Sequence, residues 1–433
     1  MSNSKYARRF KHRSGTVKLM EDLAAADSQS LMLGGGNPAH IPQVQAIFRE
    51  CLQDITADSR QFAAMLGDYS GPEGDAVFIE ALANYLSDFF GHSLSADNIV
   101  LTNGSQASFG VLFNCFAGEQ IDGSFKRILL PMVPEYIGYS DQHLGSQPII
   151  ESRAATIEQL SDDFFKYRVD RDALCLSEQH AAICLSRPTN PTGNVVSLDE
   201  LNFLADAAES RSIPLIVDVA YGLPFPGVQY EETESYWRDN LIVCMSLSKL
   251  GLPGARTGIV LANADTIAML RRANAINSLA PGNIGPHLMS RLLTQNKLQS
   301  LCKDLVQPFY QAKMEFALTC VRTHLSQFNV RVHKPEGAFF LWLWFDGLPV
   351  DSRLLYERLR AKNVFVLAGE YFFPGYSENA SDHGVVEGES LMAFDRHRSE
   401  CIRISYAQPD EAVDAGIAAI AAELEAIYLE AKH

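Results

Sequence analysis

No stretch of this chain stays apolar for the roughly 18 residues that a membrane-spanning helix needs. The richest run, Ala338 to Phe345, has the length of a core strand. The opening residues, Met1 to Arg13, are basic and polar and lack the apolar segment of a secretory signal. None of the eight cysteines forms a Cys-x-x-Cys pair. That spacing argues against a zinc site and a disulfide framework, and no metal is expected. Cys115, Cys184, Cys244 and Cys401 sit in apolar patterns and are expected as reduced core thiols of a cytoplasmic protein. Positive charge is also scarce. With a net charge of −16, neither nucleic acid nor an anionic membrane surface is an expected partner. Gly34-Gly-Gly36 lacks the G-x-G-x-x-G spacing before a helix, which disfavours a dinucleotide site. Repeats and low-complexity tracts are missing too. What is present is a chain of 433 residues, 47% hydrophobic and 20% charged, with ample material for two or three domains around buried cores.

From about Asp68 the chain alternates between helix and strand. Gly74 to Phe90 is amphipathic at helical spacing, as Ile41 to Leu52 is before it. Strands are predicted at Asn98–Thr102, Arg127–Leu130, Gln147–Ile150, Ala181–Ser186, Ile213–Asp218, Leu241–Met245 and Gly258–Leu261. Helices fall between several of them. Ala107 to Phe116 is one, and another opens with the capping box Ser197-Leu-Asp-Glu200 and runs to Glu209. Such alternation predicts an α/β fold with a mostly parallel sheet covered on both faces. After Pro308 the pattern changes. Strands at Val330–Lys334, Phe339–Phe345, Val364–Leu367 and Cys401–Tyr406, with helices at Ser352–Lys362 and from Glu411 onward, predict a smaller α+β domain. The boundaries expected are 1–55 for an N-terminal arm and part of the small domain, 56–307 for the large domain and 308–433 for the small one. Residues 375–400, with six acidic residues, read as a long polar loop.

The most informative stretch runs from Cys244 to Gly258. A buried strand ends in the alternating serines Ser246 and Ser248, then Lys249, a loop rich in Gly and Pro, and Arg256. A lysine at the end of a buried strand is costly unless it is paired, neutralised or used. Hydroxyls and a guanidinium nearby would hold a phosphate. A neutral amine beside an anchored phosphate is what Schiff-base chemistry with pyridoxal phosphate requires. A surface lysine in a mobile glycine loop is the plainer alternative. In a parallel sheet, ligands gather at the carboxyl ends of the strands, and other chemistry-bearing residues fall there. Gly104-Ser-Gln106 places free N–H groups at a helix start, as an anion site or an ordinary capped turn. Tyr136 stands at a sheet edge, where it could stack on a planar ring or simply pack. Arg187-Pro-Thr-Asn-Pro-Thr-Gly193 is a fixed turn that aims Asn190 in one direction. Asp218 ends an apolar strand, with Tyr221 three residues on. The carboxylate either caps a helix or keeps a pyridine nitrogen protonated, so that the ring accepts the electrons of a carbanion.

In its ordered set of motifs, N-P-T-G, D-x-A-Y and S-x-S-K followed by G-x-R, the chain resembles the fold type I pyridoxal-phosphate aminotransferases. The likeness extends from Gly34 to the last strand. It is similar in particular to the valine–pyruvate branch, through Met32 to Ala39, Leu101 to Gln106, Pro134 to Tyr139, Ser186 to Val195, Met245 to Gly254 and Pro335 to Phe345. The resemblance implies a large domain with a mostly parallel seven-stranded sheet between helices, bound pyridoxal 5′-phosphate, and a homodimer with shared active sites. It implies small amino acids and 2-oxo acids as substrates, with valine and pyruvate giving 2-oxoisovalerate and alanine. It also implies that Lys249 holds the cofactor covalently and moves the proton, that Asp218 pairs with the ring nitrogen, and that Tyr221 and Asn190 contact the phenolic oxygen. Tyr136 would stack on the ring. Gly104, Ser105, Gln106, Ser246, Ser248 and Arg256 would hold the phosphate, joined by Tyr69 from the partner subunit. Gly35, Asn190 and Arg403 would bind the substrate carboxylate. Aminotransferases for other aliphatic or aromatic amino acids, lyases of the same fold, and a cofactor-binding sensor share parts of this pattern. The full set of reacting groups and the acidic charge weigh against the sensor. Where dicarboxylate-specific relatives carry an arginine, Ala273 to His287 contains no arginine or lysine, and Ile276, Leu279 and Ile284 are expected to favour aliphatic side chains.

Overall fold

A computed structural model describes residues 4–10, 15–27, 29–376 and 389–432. Seven strands form its centre, in the spatial order Ile150–Gln159, Phe125–Val133, His180–Ser186, Leu215–Asp218, Leu241–Ser246, Gly258–Leu261 and Ile99–Thr102. Neighbours run parallel except at Gly258–Leu261, which opposes both of its partners. The three middle strands, HAAICLS, LIVD and LIVCMS, are buried at every position. Continuous apolar runs of this kind belong to sheets covered on both faces. The register sets Ser186 beside Asp218 and Asp218 beside Cys244, which brings the chemistry-bearing strand ends to one edge.

Local chemistry fixes the covering helices. Ser197 Oγ accepts the Glu200 N–H at 3.2 Å, and the Glu200 carboxylate accepts the Ser197 N–H at 2.9 Å, closing the expected capping box at the start of Leu198–Ser210. The early helix spans Pro42–Ala57, longer than the run that predicts it. The helix predicted from Gly74 begins at Ala76, where Asp75 caps it.

Four expectations need correction. The strand placed at Gln147–Ile150 instead starts at Ile150 and continues to Gln159. Its second half pairs with Phe164–Val169, a strand the residue pattern did not reveal. Charged residues break the alternation in this ribbon, and ion pairs such as Arg168–Glu158 (2.6 Å) satisfy them across it. Through Phe164–Val169 the sheet runs on to Val330–His333, Phe340–Phe345, Cys401–Ser405 and Leu367–Ala368. Second, the strand expected at Val364–Leu367 is divided. Val364–Phe365 pairs with Leu31–Met32 of the N-terminal arm, and Leu367–Ala368 pairs with Cys401–Ser405. Third, the supposed loop 375–400 ends in a helix, Glu389–Glu400, whose Phe394 and His397 are buried against Tyr167. Among its described side chains, Phe394, His397 and Glu400 turn inward, too few to show in the composition. Residues 377–388 lie outside the described ones. Fourth, Cys115 is exposed, whereas Cys184, Cys244 and Cys401 are buried as expected. Among the described residues no helix is long and apolar enough to cross a membrane. No cluster of three or more His, Cys, Asp or Glu suited to a metal ion occurs among them either.

Candidate active site

Ser246, at the end of Leu241–Ser246, accepts the Ser248 N–H on its Oγ at 3.1 Å. This closes the chain into the short turn Ser248–Leu250, which carries Lys249. Lys249 Nζ donates to Gly36 O at 2.6 Å and lies 5.4 Å from the centre of the Tyr221 ring. Burial, then the positive charges of Arg403 and Arg256, lower this amine to about 8, with Asp218 acting in the opposite sense. The amine is therefore partly neutral near physiological pH.

Asp218 ends the neighbouring strand and is buried. Its Oδ1 accepts the Ala220 N–H at 2.9 Å and its Oδ2 accepts the Tyr139 hydroxyl at 3.0 Å. Burial raises the carboxyl to about 6 against these bonds and the charge of Lys249. Tyr221 packs edge-on against Phe339 and Phe340, and burial holds its hydroxyl well above the usual range.

Arg403 enters from Cys401–Ser405, fully buried, its guanidinium 4.1 Å from the Phe340 ring centre and 5.2 Å from that of Phe372. It donates to Asn190 Oδ1 at 2.8 Å and to Gly34 O at 2.6 Å. Its Nε has no partner among the described residues. Burial lowers its pKa to about 10. A buried cation held by neutral oxygens is arranged to receive an anion.

Ser105–Phe116 begins at Gly104 without a side-chain cap, which leaves N–H groups at the helix start. Gly104 has φ +91°, and a Cβ there would fall 2.2 Å from Arg256 Nη2; one on Gly258 would fall 2.6 Å from Ser105 N. Only glycine at both positions leaves this cradle open beside the guanidinium. Tyr136 donates its hydroxyl to Gln106 Oε1 at 3.2 Å. Burial pushes that phenol up to about 12.

A single cavity of about 280 Å³ joins these groups. Ser105, Gln106, Tyr136, Asn190, Asp218 and Tyr221 line it, with Ser246, Ser248, Lys249, Arg256 and Arg403. Three predicted residues lie off its wall. Gly104 shapes the cradle from behind. Gly35 sits between Gly34 and Gly36, whose carbonyls contact Arg403 and Lys249. Tyr69 is 87% exposed, away from the chain's own cavity. Ile276, Leu279 and Ile284 are also exposed and do not line it; the apolar wall comes from Leu19, Met20, Leu23 and Ile137. The first three belong to the helix Gly15–Ala25, in a segment that reads as a polar arm. The i, i+4 spacing of Leu19 and Leu23 is the signal that marks it. Buried Asp22 fastens this helix by accepting from Tyr356 Oη and, at 2.8 Å, from Arg360 Nε. Tyr139, Glu135 and Ser186 complete the surroundings of Asp218; they lie within the motifs Pro134 to Tyr139 and Ser186 to Val195, which do not single them out as site residues.

The fold and the lysine at the sheet edge define the class of type I pyridoxal-phosphate enzymes. Comparison narrows this further: the model of aminotransferase class I and II matches residues 40–420, and the chain belongs to that family. It is 40% identical over 432 residues to the valine–pyruvate aminotransferase of Escherichia coli K12, covering 99% of this chain and all of that one. The crystal structure of valine–pyruvate aminotransferase from Salmonella typhimurium LT2 superposes with a TM-score of 0.85 at 42% identity, covering 96% of this chain and 100% of that one. A Psychrobacter arcticum 273-4 structure assigned as an amino-acid aminotransferase reaches 0.92 at 39% identity, over 99% of each chain.

Proposed function

We propose that this aminotransferase moves the amino group of valine to pyruvate, giving 2-oxoisovalerate and alanine, as a cytoplasmic homodimer that carries pyridoxal 5′-phosphate on Lys249. The observation that carries the reading is the meeting of Lys249, Asp218 and Arg403 in one cavity, each with the partners its role requires. The residues fit the cofactor on two structural grounds: the glycine cradle beside Arg256 and the uncapped helix start are shaped for a phosphate, and the partly neutral lysine suits imine formation.

When bound, the cofactor supplies an electron-accepting ring. Lys249 Nζ, lowered towards neutrality, takes the proton from the substrate Cα, since a base near the working pH transfers protons best. Asp218 holds a proton on the ring nitrogen, oriented by Tyr139 and the Ala220 N–H. Asn190 has its Oδ1 engaged by Arg403, so its amide N–H remains for the phenolic oxygen, which Tyr221 also serves. Tyr136 covers the ring face. Ser105, Gln106, Ser246, Ser248 and Arg256 hold the phosphate, and Gly104 leaves room for it. Arg403 binds the substrate carboxylate beside Gly35.

Two features support an aliphatic substrate: the 40% identical relative and a wall in which, among the described residues, Lys249, Arg256 and Arg403 are the only lysines and arginines. Each is assigned above, and none is left for a side-chain carboxylate. An unpaired buried carboxylate costs several kcal/mol, and 1.4 kcal/mol is tenfold. Aspartate should therefore be at least about 100-fold poorer in kcat/KM than valine or alanine. One methylene is worth only about 1–3 kcal/mol, so isoleucine and 2-aminobutyrate should overlap with valine. Incubation with L-valine and pyruvate, with alanine and 2-oxoisovalerate assayed, tests the reaction. If aspartate equals valine in kcat/KM, the aliphatic reading is wrong even though transamination stands.

The exposure of Tyr69 supports a role across a subunit interface. Tyr69→Phe and Lys249→Ala homodimers should each be impaired. Mixed dimers should regain activity, because one of their two sites then has both residues. No recovery after confirmed subunit exchange would place Tyr69 outside the partner's site.

A further inference from the structure

Glu135 is fully buried and directly precedes Tyr136 in the turn that leaves Phe125–Val133. Its Oε1 accepts the Ser186 N–H at 2.7 Å. Its Oε2 accepts the Tyr136 N–H at 3.0 Å and lies 2.6 Å from Ser186 Oγ. Ser186 lines the cavity and stands beside Asp218 in the parallel register. The next N–H, that of Arg187, donates to Asp218 O at 2.8 Å. One carboxyl group thus ties the wall that carries Tyr136 to the wall that carries Asp218. No step of the proposed reaction uses it.

We propose that Glu135 is a positioning residue of the cofactor site, holding Tyr136 and Ser186 in fixed relation so that the ring face and the Asp218 carboxylate stay in register. The proposal rests on the reading that this cavity takes pyridoxal phosphate. Its charge state fits that duty. Burial, aided by nearby Asp218, pushes Glu135 up to about 8, while Asp218 reaches only about 6. The other titratable groups around the pair include Tyr136, Tyr139, Tyr221, Cys184, Cys244 and Lys249; burial raises all of these except the lysine and keeps them neutral. Burial and the neighbouring Asp218 carboxyl both favour the neutral form of Glu135, as expected when two carboxyls share one buried region. The acid can hold its three contacts without setting a second negative charge beside the ring nitrogen.

Glu135→Gln keeps the shape but turns an amide N–H towards one of the two backbone N–H groups. Leaving one buried N–H without an acceptor corresponds to about a tenfold effect. The Glu135→Gln holoenzyme should lose cofactor to dialysis about tenfold faster than wild type, and the visible circular dichroism of the bound cofactor should weaken. Far-ultraviolet circular dichroism and the melting temperature of the cofactor-free protein should stay close to wild type. Ser186→Ala removes only the hydroxyl contact and should shift the same two readouts less. Unchanged cofactor loss and visible dichroism in Glu135→Gln would overturn the proposal, as would global unfolding, which would make the residue structural. A wild-type protein that binds no pyridoxal phosphate would instead overturn the underlying reading, and this proposal with it.

Discussion

Lys249→Ala should abolish transamination and leave the fold intact. Removal of the side chain takes away both the covalent hold on the cofactor and the base that moves the proton. A positioned proton-transfer group alone contributes about 10²–10⁴-fold, so turnover should fall by about 10⁴-fold or more. The fold should survive because the amine makes a single hydrogen bond, to Gly36 O, in a place where its charged form is disfavoured. Stability provides an independent check on cofactor-free protein. The folded amine is lowered to about 8 from an ordinary value of 10.5, so between these values the unfolded chain binds more protons and stability rises with pH. Below about 8 the folded chain carries the full penalty of a buried ammonium. The alanine variant should therefore be at least as stable as wild type at pH 7, and its advantage should shrink as pH rises from 8 to 10.5. Normal transamination by Lys249→Ala would sink the central assignment, whatever the melting curves show.

The site is legible in the sequence wherever chemistry coincides with the end of a buried strand. Leu215–Asp218 and Leu241–Ser246 read as unbroken apolar runs because both of their faces are covered, so a charge or hydroxyl at their ends stands out. Asn190 stands out for a different reason, because two prolines and a glycine restrict its turn. What could not be read depends on contacts distant in the chain. Leu19, Met20 and Leu23 become a cavity wall only because Asp22 is fastened to Tyr356 and Arg360, more than 300 positions later. Glu135 lies in the motif Pro134 to Tyr139, but its role shows only where the Ser186 and Tyr136 N–H groups close around it. The ribbon Ile150–Gln159 with Phe164–Val169 hides its strands behind charges that pair across it. The stretch around Ile276 shows the reverse limit. Its lack of lysine and arginine is plain in the sequence, yet Ile276, Leu279 and Ile284 face outward in the single chain, and apolar residues of the cavity wall come from the N-terminal helix.

Asp218→Ala should be the second most damaging change, and its effect should fall on kcat rather than KM. The carboxylate is held on both oxygens, by the Ala220 N–H and the Tyr139 hydroxyl, so it is already oriented before any ring arrives. Burial disfavours its charged form, as the rise to about 6 indicates. A protonated ring nitrogen would favour the charged form by placing a cation directly against the carboxylate. The Asp218 pairing would matter most in the transition state of proton removal from the substrate Cα rather than on binding. Removing a preorganised charge of this kind costs about 2.7–4 kcal/mol, or 10²–10³-fold in kcat. Arg403 and the phosphate cradle remain, so KM for valine should change little. Asp218→Asn should be nearly as slow, since the amide keeps the shape and loses the charge, whereas Asp218→Glu should retain part of the rate. Tyr139→Phe should give a smaller loss through the same carboxylate, because one of its two orienting bonds is gone. Steady-state kcat and KM for valine with pyruvate in these four variants separate the possibilities. An Asp218→Ala enzyme within a factor of two of wild type would reduce Asp218 to a structural cap at the strand end.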